Sequence, residues 1–171
     1  MSASSLPTAG QLQYLVDRFE IQDVIARYAR GQDDHQGDDG DILADWDHVF
    51  TDDATVDYES AGVPAGATYR ELAEWMRGGG GQGRMGVFSG WQHNMGPSSV
   101  EIDGDTATAQ TSVLASHQVK PAGADDAGTV LLAACTFQDE LRRTADGWRI
   151  SFRRNLIHWI DDVPRVPSAH A

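Results

Sequence analysis

Four side chains in this sequence could exchange a proton with a small molecule or donate a hydrogen bond to it: His93, His117, Tyr28 and Tyr58. Histidine is the side chain whose ordinary pKa, about 6.5, lies near neutral pH, so it can both accept and release a proton there. A phenol donates a hydrogen bond without changing its charge. With Asp33 as a candidate carboxylate, these residue types favour acid-base chemistry.

Each candidate also has an ordinary structural explanation. His117 shares a predicted strand face with Val113 and Ala115, and a histidine on an apolar face is more often a core residue than a catalyst. His93, next to a glycine-proline bend, is no more specific by itself. Asp33 opens an acidic loop, residues 33–41, in which most carboxylates are expected to be solvated. No single residue of this set establishes a function.

Other chemically interesting segments match no motif for a metal or a cofactor. The acidic loop contains neither a calcium-loop pattern nor a His-x-x-x-His pair, so we expect no metal site. The glycines 78–81, followed by Gly83, lack the Gly-Lys-Ser/Thr ending that holds phosphate, and they predict a mobile loop at a pocket mouth. Cys135 lies in an apolar run and is predicted to be a small buried side chain. No flavin or nicotinamide motif is present, and we expect no cofactor.

The charge balance and the cysteine content argue against several classes of partner. The chain carries 26 acidic and 13 basic side chains, a net charge of -13, which disfavours binding to nucleic acid and to anionic membranes. Its single cysteine cannot form an internal disulfide, and no apolar run reaches the length of a membrane span. The N-terminus lacks the features of a secretory signal. We therefore expect a soluble, cytoplasmic protein.

The first part of the chain has the periodicity of an amphipathic helix. From Gln11, two apolar stripes follow each other with an offset that predicts a bend near Glu20. The stripes are Leu12, Leu15, Val16 and Phe19, and then Ile21, Val24, Ile25 and Tyr28. The helix is predicted to end at Gly31, because glycine adopts the left-handed conformation that terminates helices, and this puts Asp33 just past the helix end.

Two shorter helices are predicted before the sequence changes character. Residues 42–50 repeat the amphipathic spacing, and residues 54–58 are strand-like. Residues 68–76 predict a third helix, in which Thr68 and Glu71 have the spacing of a capping box. About three helices thus precede the strand-rich part of the chain.

Long strand-like runs separated by turn signals make up the rest of the chain. The predicted strands are residues 87–102, bent at Gly96-Pro97, then 106–119, 129–142 and 148–160. Helices followed by a meander of antiparallel strands indicate an α+β fold with the helices on one face of a sheet. One domain is expected over residues 11–162, between a flexible N-terminus (1–10) and a flexible tail (163–171).

Four segments together resemble the SnoaL-like branch of the nuclear-transport-factor-like superfamily, which includes scytalone dehydratase, bile acid dehydratase, hexachlorocyclohexane dehydrochlorinase, polyketide cyclases and ketosteroid isomerases. The segments are FEIQDVIARYARGQDD, VFTDDATVDYES, GWQHNMGPSSVEIDGDTATA and FQDELRRTADGWRISF, and the likeness covers about residues 11–160. The resemblance implies a cone-shaped barrel. In it, a strongly curved, mostly antiparallel sheet and about three N-terminal helices enclose a deep pocket.

The same resemblance implies that Asp33 and His93 act as a pair. In the dehydratase and dehydrochlorinase members, an aspartate that follows an I-Q-D motif pairs with a histidine on the first long strand. Asp33 has the matching spacing from Asp23, and His93 occupies the place of the histidine. His93 would then be the base, and Asp33 would hold its ring and stabilise the imidazolium.

The resemblance extends to three further pocket residues. His117 and Tyr58 match a second histidine and a tyrosine of scytalone dehydratase, and Tyr28 matches a tyrosine of the bile acid dehydratase type. The sequence departs from scytalone dehydratase on the third strand, where Cys135 and Phe137 replace polar pocket residues. A more apolar pocket and a different substrate are therefore implied.

This pattern favours a cofactor-independent dehydratase that acts on a hydrophobic cyclic or polyketide-like hydroxy-carbonyl compound. His93 would remove a proton next to the carbonyl, Tyr58 would stabilise the enolate, and His117 could protonate the departing hydroxyl. The same dyad would also serve an aldol-type polyketide cyclase or a ketosteroid-like isomerase, and a non-catalytic ligand-binding module is a third alternative. Members of this branch assemble through the outer face of the sheet, so the resemblance implies a homo-oligomer, either a dimer or a trimer.

Overall fold

The computed structural model describes residues 6–36, 41–78, 83–123 and 126–165. Its helices are α1 (Ala9–Asp34), α2 (Ile42–Trp46) and α3 (Tyr69–Arg77). Its strands are β1 (Phe50–Tyr58), β2 (Val63–Thr68), β3 (Phe88–Met95), β4 (Ser99–Asp103), β5 (Thr106–Val119), β6 (Thr129–Thr144) and β7 (Gly147–Pro164). Short 3-10 helices follow β1 and precede β3. No helix in these ranges is long and apolar enough to cross a membrane.

The strands form one sheet in the order β2-β1-β7-β6-β5-β3, and β4 also pairs with β5. Each pairing is antiparallel except that of β1 with β7, which is parallel. The register of β6 against β7 shifts after Ala134 and again after Glu140, and such irregularities bend and twist a sheet. The prediction of an α+β fold with a strongly curved, mostly antiparallel sheet is confirmed.

The hairpins of β5, β6 and β7 follow directly from the sequence pattern. Side chains of β5 alternate between exposed and buried from Thr106 to Ala115, as a strand with one face on a core requires. Gly104 lies in the turn between β4 and β5, and Gly147 lies at the turn between β6 and β7. Their φ angles of 60° and 94° are in the left-handed region, which favours glycine. β5 has the predicted limits, and β6 and β7 extend past their predicted ends.

Three other elements differ from the predictions. α2 ends at Trp46, because Phe50 already belongs to β1, where it pairs with Ile150 of β7. The sequence does not predict β2, whose Pro64 and Gly66 have low strand propensity and which lies at the edge of the sheet. The strand expected over residues 87–102 is divided into β3 and β4 by residues 96–98, at the predicted bend.

The prediction that the first helix ends at Gly31 is wrong. α1 continues to Asp34 and has His35 as its C-cap. A Cβ atom on Gly31 would lie 2.9 Å from Cβ of Asp45, so this glycine allows α2 to approach α1 closely and does not terminate the helix. Asp33 therefore lies in the last turn of α1, not beyond it.

Only the second of the two apolar stripes of α1 enters the core. The buried residues are Ile21, Val24, Ile25 and Tyr28, whereas Leu12, Leu15, Val16 and Phe19 are 47–65% exposed. The N-terminal half of the helix is held instead by Asp17, which accepts hydrogen bonds from Arg143 (2.7 and 2.8 Å) and from the indole N–H of Trp148 (3.2 Å). Chiefly because of the hydrogen bond from Arg143, the pKa of Asp17 is lowered to about 2.

The limits of the ordered elements lie slightly outside the predicted domain. α1 begins at Ala9, inside the segment expected to be flexible, and β7 includes Val163 and Pro164. Residues 1–5 and 166–171 lie outside the described ranges, as do 37–40 of the acidic loop and 79–82 of the glycine run. The predicted mobility of the glycine loop stays a prediction.

Replacement of Gly31 by alanine tests the close contact of α1 with α2. Gly31→Ala should lower the free energy of unfolding by about 1–3 kcal/mol, since the new methyl group meets Asp45 and Trp46 in a packed interface. The matched change Gly10→Ala, on the same helix with no atom within 4 Å, should leave the stability unchanged or raise it by up to about 1 kcal/mol. Urea unfolding measures both, and equal effects of the two changes would contradict the contact.

Candidate active site

A cavity of about 1000 Å³ lies between the concave face of the sheet and the helices. Ala115, Ala133 and Cys135 line it from β5 and β6, and their small side chains leave room for a ligand. Burial raises the pKa of the Cys135 thiol to about 11, so the thiol stays neutral and adds to the apolar lining, as predicted. The volume suits a ligand of several rings.

His93 and Asp33 meet at the wall of this cavity. Nδ1 of His93 lies 2.7 Å from Oδ1 of Asp33, and the backbone N–H of His93 donates a 3.0 Å hydrogen bond to Oδ2 of the same carboxylate. The His93 ring lines the cavity, and its side chain is 8% exposed. Since the carboxylate accepts the proton on Nδ1, the neutral ring has its basic lone pair on Nε2.

Gln36 fixes the end of α1 to the edge of the sheet. β3 is an edge strand, and the Gln36 carboxamide accepts from the N–H of Trp91 (3.0 Å) and donates to its carbonyl (2.7 Å), as a neighbouring strand would. The same amide donates to the carbonyl of Asp33 at 2.8 Å. The indole N–H of Trp91 in turn donates to the carbonyl of Gln32 at 2.7 Å. Asp33 is thus positioned against His93 by contacts on both sides.

His117 lines the cavity beside His93. The two rings are perpendicular, with their centroids 5.8 Å apart. The ring of His117 also contacts that of Phe88, and these two centroids are 4.8 Å apart. Burial, together with the neighbouring His93, lowers the pKa of His117 to about 4. Nδ1 of His117 is buried and has no hydrogen-bond partner among the described residues. His117 is therefore a neutral imidazole at pH 7 and would act as a hydrogen-bond group, not as an imidazolium acid.

Tyr28 and Tyr58 also line the cavity, and their hydroxyl oxygens are 2.6 Å apart. The Tyr28 hydroxyl oxygen accepts a further hydrogen bond from Nε2 of Gln32 at 3.2 Å. Burial raises the pKa of both phenols, so both are protonated at neutral pH. One hydrogen bond between two hydroxyls uses one proton, which leaves the other O–H available to a ligand.

A buried ion pair lies behind the tyrosines. Arg153 is fully buried, and its guanidinium donates to Asp139 at 2.6 and 2.8 Å. The guanidinium carbon lies 4.1 Å from the ring centroid of Tyr28 and 4.4 Å from that of Phe137, which are favourable cation-π distances. The positive charge favours the ionised form of both phenols, although burial outweighs this effect.

All five residues singled out from the sequence belong to this region. Tyr28, Tyr58, His93 and His117 line the cavity, and Asp33 is bonded to His93 from behind. The sequence did not reveal four others, Gln32, Gln36, Asn155 and Arg153. For Gln32 a signal existed, because it lies one helical turn after Tyr28 and so on the same helix face.

Within the described ranges, no group of His, Cys, Asp or Glu side chains could hold a metal ion.

This combination of curved sheet, cavity and residues agrees with a comparison against protein families. A family model described as a SnoaL-like domain matches residues 13–154. The chain belongs to the SnoaL-like family. The resemblance found in the sequence is therefore confirmed at the level of the family.

This SnoaL-like protein is similar to one protein of Mycobacterium tuberculosis and to solved structures from Kribbella flavida and Novosphingobium barchaimii. It is 34% identical over 134 residues to the uncharacterized protein Rv2910c of Mycobacterium tuberculosis, which covers 78% of this chain and 80% of that protein. The structure of protein Kfla4162 from Kribbella flavida has a TM-score of 0.69 and 28% identity, covering 86% of this chain and 95% of that one. Hexachlorocyclohexane dehydrochlorinase LinA-type3 from Novosphingobium barchaimii has a TM-score of 0.70 at 18% identity, covering 92% and 99%. At that identity the likeness is one of fold.

The low pKa of His117 predicts a pH dependence of stability. Between about pH 6.5 and pH 4 the unfolded chain takes up a proton on His117 that the folded chain does not, so the free energy of unfolding should fall as the pH falls, by on the order of 1 kcal/mol per pH unit. His117→Phe removes this group and should make the fall shallower in that window. Urea unfolding at several pH values measures it, and an unchanged slope in the variant would refute the burial of His117 as its cause.

Proposed function

We propose that this SnoaL-like protein is a cofactor-independent lyase that eliminates water from a hydrophobic cyclic or polyketide-like hydroxy-carbonyl compound. The observation that carries the proposal is the 2.7 Å contact of His93 with Asp33 at the wall of the cavity. A carboxylate on Nδ1 makes Nε2 the basic atom and stabilises the imidazolium that forms when Nε2 takes a proton. The lining of small apolar side chains supports a ligand with an apolar ring system.

In the proposed reaction, Nε2 of His93 removes the proton on the carbon next to the carbonyl. The electrons of that C–H bond form an enolate. Its oxygen would accept a hydrogen bond from the O–H group that the Tyr28-Tyr58 pair does not use internally. The neutral tyrosines can give this hydrogen bond at neutral pH because burial raises the pKa of both. The site thus offers a base and a donor for the charge that the base creates.

Elimination is completed when the C–O bond of the β-hydroxyl breaks and a C=C bond forms. The proton held by His93 can pass to the departing oxygen, which leaves as water and restores the neutral imidazole. His117 would support this step as a neutral hydrogen-bond partner, since its pKa of about 4 excludes a stored proton at neutral pH. The name of the structurally similar LinA-type3 protein, a dehydrochlorinase, describes an elimination too, which supports this reaction class over cyclisation or isomerisation.

The cytoplasmic location and the homo-oligomer stay predictions.

Proton removal by His93 can be measured without knowing the natural substrate. In D₂O the protein should accelerate exchange of the α-protons of 2-tetralone, a bicyclic ketone, and His93→Ala should reduce this acceleration by about 10²- to 10⁴-fold. Proton NMR follows the exchange, and a circular-dichroism melt confirms the fold of the variant. Dehydration itself is followed as the formation of 1-naphthol from 3-hydroxy-1-tetralone. A wild-type exchange rate in His93→Ala would rule out His93 as the base.

The role of the carboxylate is separable from the role of the ring. Asp33→Asn keeps the shape of the side chain but no longer stabilises an imidazolium, so the exchange rate should fall by about 10²-fold or more while the fold is retained. Asp34→Asn is the matched control, because Asp34 is the adjacent, exposed carboxylate. If both variants reduced the rate equally, the effect would be one of charge on the helix end and not of the Asp33-His93 contact.

A further inference from the structure

Two buried carboxamides in the cavity lack a hydrogen-bond partner on one or both ends. Asn155 is 8% exposed and Gln32 is 2% exposed, and both line the cavity. Oδ1 of Asn155 and Oε1 of Gln32 are buried and have no hydrogen-bond partner among the described residues. Gln32 uses its Nε2 group on Tyr28, whereas the Asn155 side chain makes no hydrogen bond within the described ranges. A ligand is the natural partner for such groups.

The cost of these unpaired groups argues against a purely structural role. A buried polar atom without a partner costs about 1–3 kcal/mol, and most buried polar side chains in proteins are hydrogen-bonded. Packing alone would be served by an apolar side chain such as leucine, which has the same branching, at position 155. Ile157, two residues further along the same strand, also lines the cavity and is apolar. The amide at position 155 therefore has a use that packing does not explain.

Asn155 lies beside the tyrosine pair and away from His93. It pairs with Phe137 of β6, and the pairing of Asp57 with Arg154 places Asn155 next to Tyr58 of β1. His93 is on β3, separated from β7 by β5 and β6. Three strand spacings correspond to about 14 Å along the sheet, and less across its concave side. Asn155 and His93 thus face the cavity from different walls.

The sheet surface between these walls is apolar and carries small side chains. Ala115 lies beside His93 in the sheet register, Ala133 follows it on β6, and Cys135 is the next inward residue of that strand. These small side chains leave space for a planar ring system that has its reacting carbon at His93, its carbonyl oxygen at the Tyr28-Tyr58 pair and its far end at Asn155, beyond the tyrosines. A fused-ring compound of roughly two or three rings matches the cavity volume.

We propose that Asn155, with Gln32 as its neighbour across the tyrosine pair, forms a second polar subsite. It binds a neutral hydroxyl group on a fused-ring substrate, at the end remote from the carbon that His93 deprotonates. The inference deepens the proposed function, because it assigns the residue that selects a hydroxyl group at the far end of the substrate, and it rests on that function only for the role of His93. Asn155 is a specificity-determining residue in this proposal and takes no part in proton transfer.

The chemistry of the subsite favours a hydroxyl over a charged group. A hydroxyl can donate to a carboxamide oxygen and accept from a carboxamide N–H, so it satisfies both ends of Asn155. The nearest buried cation, Arg153, is already paired with Asp139. Glu74 and Arg84 also line the cavity, but both are exposed to solvent and so lie away from the buried end. An ionic group at Asn155 would be buried without a counter-charge.

The test compares 2-tetralone with its monohydroxy derivatives, which carry the hydroxyl at each position of the aromatic ring. Isothermal titration calorimetry measures their affinities for the full-length wild type, for Asn155→Leu and for Asn94→Leu. Asn94 is exposed on the outer face of β3, so Asn94→Leu is the same chemical change away from the cavity. Melting temperatures check the fold, and Asn155→Ala replaces Asn155→Leu if the latter does not fold.

We expect at least one hydroxy derivative to bind the wild type and Asn94→Leu about tenfold more tightly than 2-tetralone. In Asn155→Leu this preference should fall to about twofold or less. The proposal is overturned if the wild type prefers none of the derivatives, or if the preference survives in Asn155→Leu. Exchange of α-protons in the same samples reports on His93 independently. If the wild type prefers a hydroxy derivative but does not accelerate exchange of the α-protons, the proposed reaction is refuted and the proposed subsite is supported.

Discussion

The site depends on one carboxylate that makes two hydrogen bonds to the same residue. Asp33 accepts from the ring of His93 with one oxygen and from its backbone N–H with the other. The first contact sets the ring orientation and the basic nitrogen, and the second attaches the end of α1 to the edge strand β3. Gln36 continues this attachment by bonding both backbone groups of Trp91. The end of α1 therefore hydrogen-bonds to the edge strand of the sheet and, through the same contacts, orients the candidate base.

The groups in the buried part of the cavity are either neutral or paired with an opposite charge. The fully buried Arg153 is neutralised by Asp139, and its remaining influence reaches Tyr28 and Phe137 through cation-π contacts. Burying such a pair is costly, and good hydrogen-bond geometry offsets much of that cost. His117 and the two phenols are neutral at pH 7 because burial shifts the pKa of each away from the charged form. In the buried part of the cavity, away from the exposed Glu74 and Arg84, these polar groups can thus bind a neutral ligand.

The strand region was predictable because its signals are local. Alternation of buried and exposed side chains defined β5, and an aspartate-glycine turn marked its start. The capping box of α3 likewise needs only Thr68 and Glu71, and the structure contains it. Gly31 shows where local reasoning fails. A glycine near a helix end has the same sequence signature whether it terminates the helix or admits a neighbouring helix, and only the position of Asp45 distinguishes the two cases.

By itself, the sequence determined the α+β class, the long strands β5, β6 and β7 and the side chains able to move protons, since residue type and spacing along one element carry this information. The meeting of Asp33 with His93 could be anticipated only through a family pattern, because no periodicity links residues on a helix and on a distant strand. The tertiary structure alone decided that Leu12 and Phe19 stay exposed and that β1 runs parallel to β7. It also decided that Asn155 faces the cavity with its amide unpaired. These features depend on which surfaces meet, and curvature of the sheet brings together residues that are far apart in the chain.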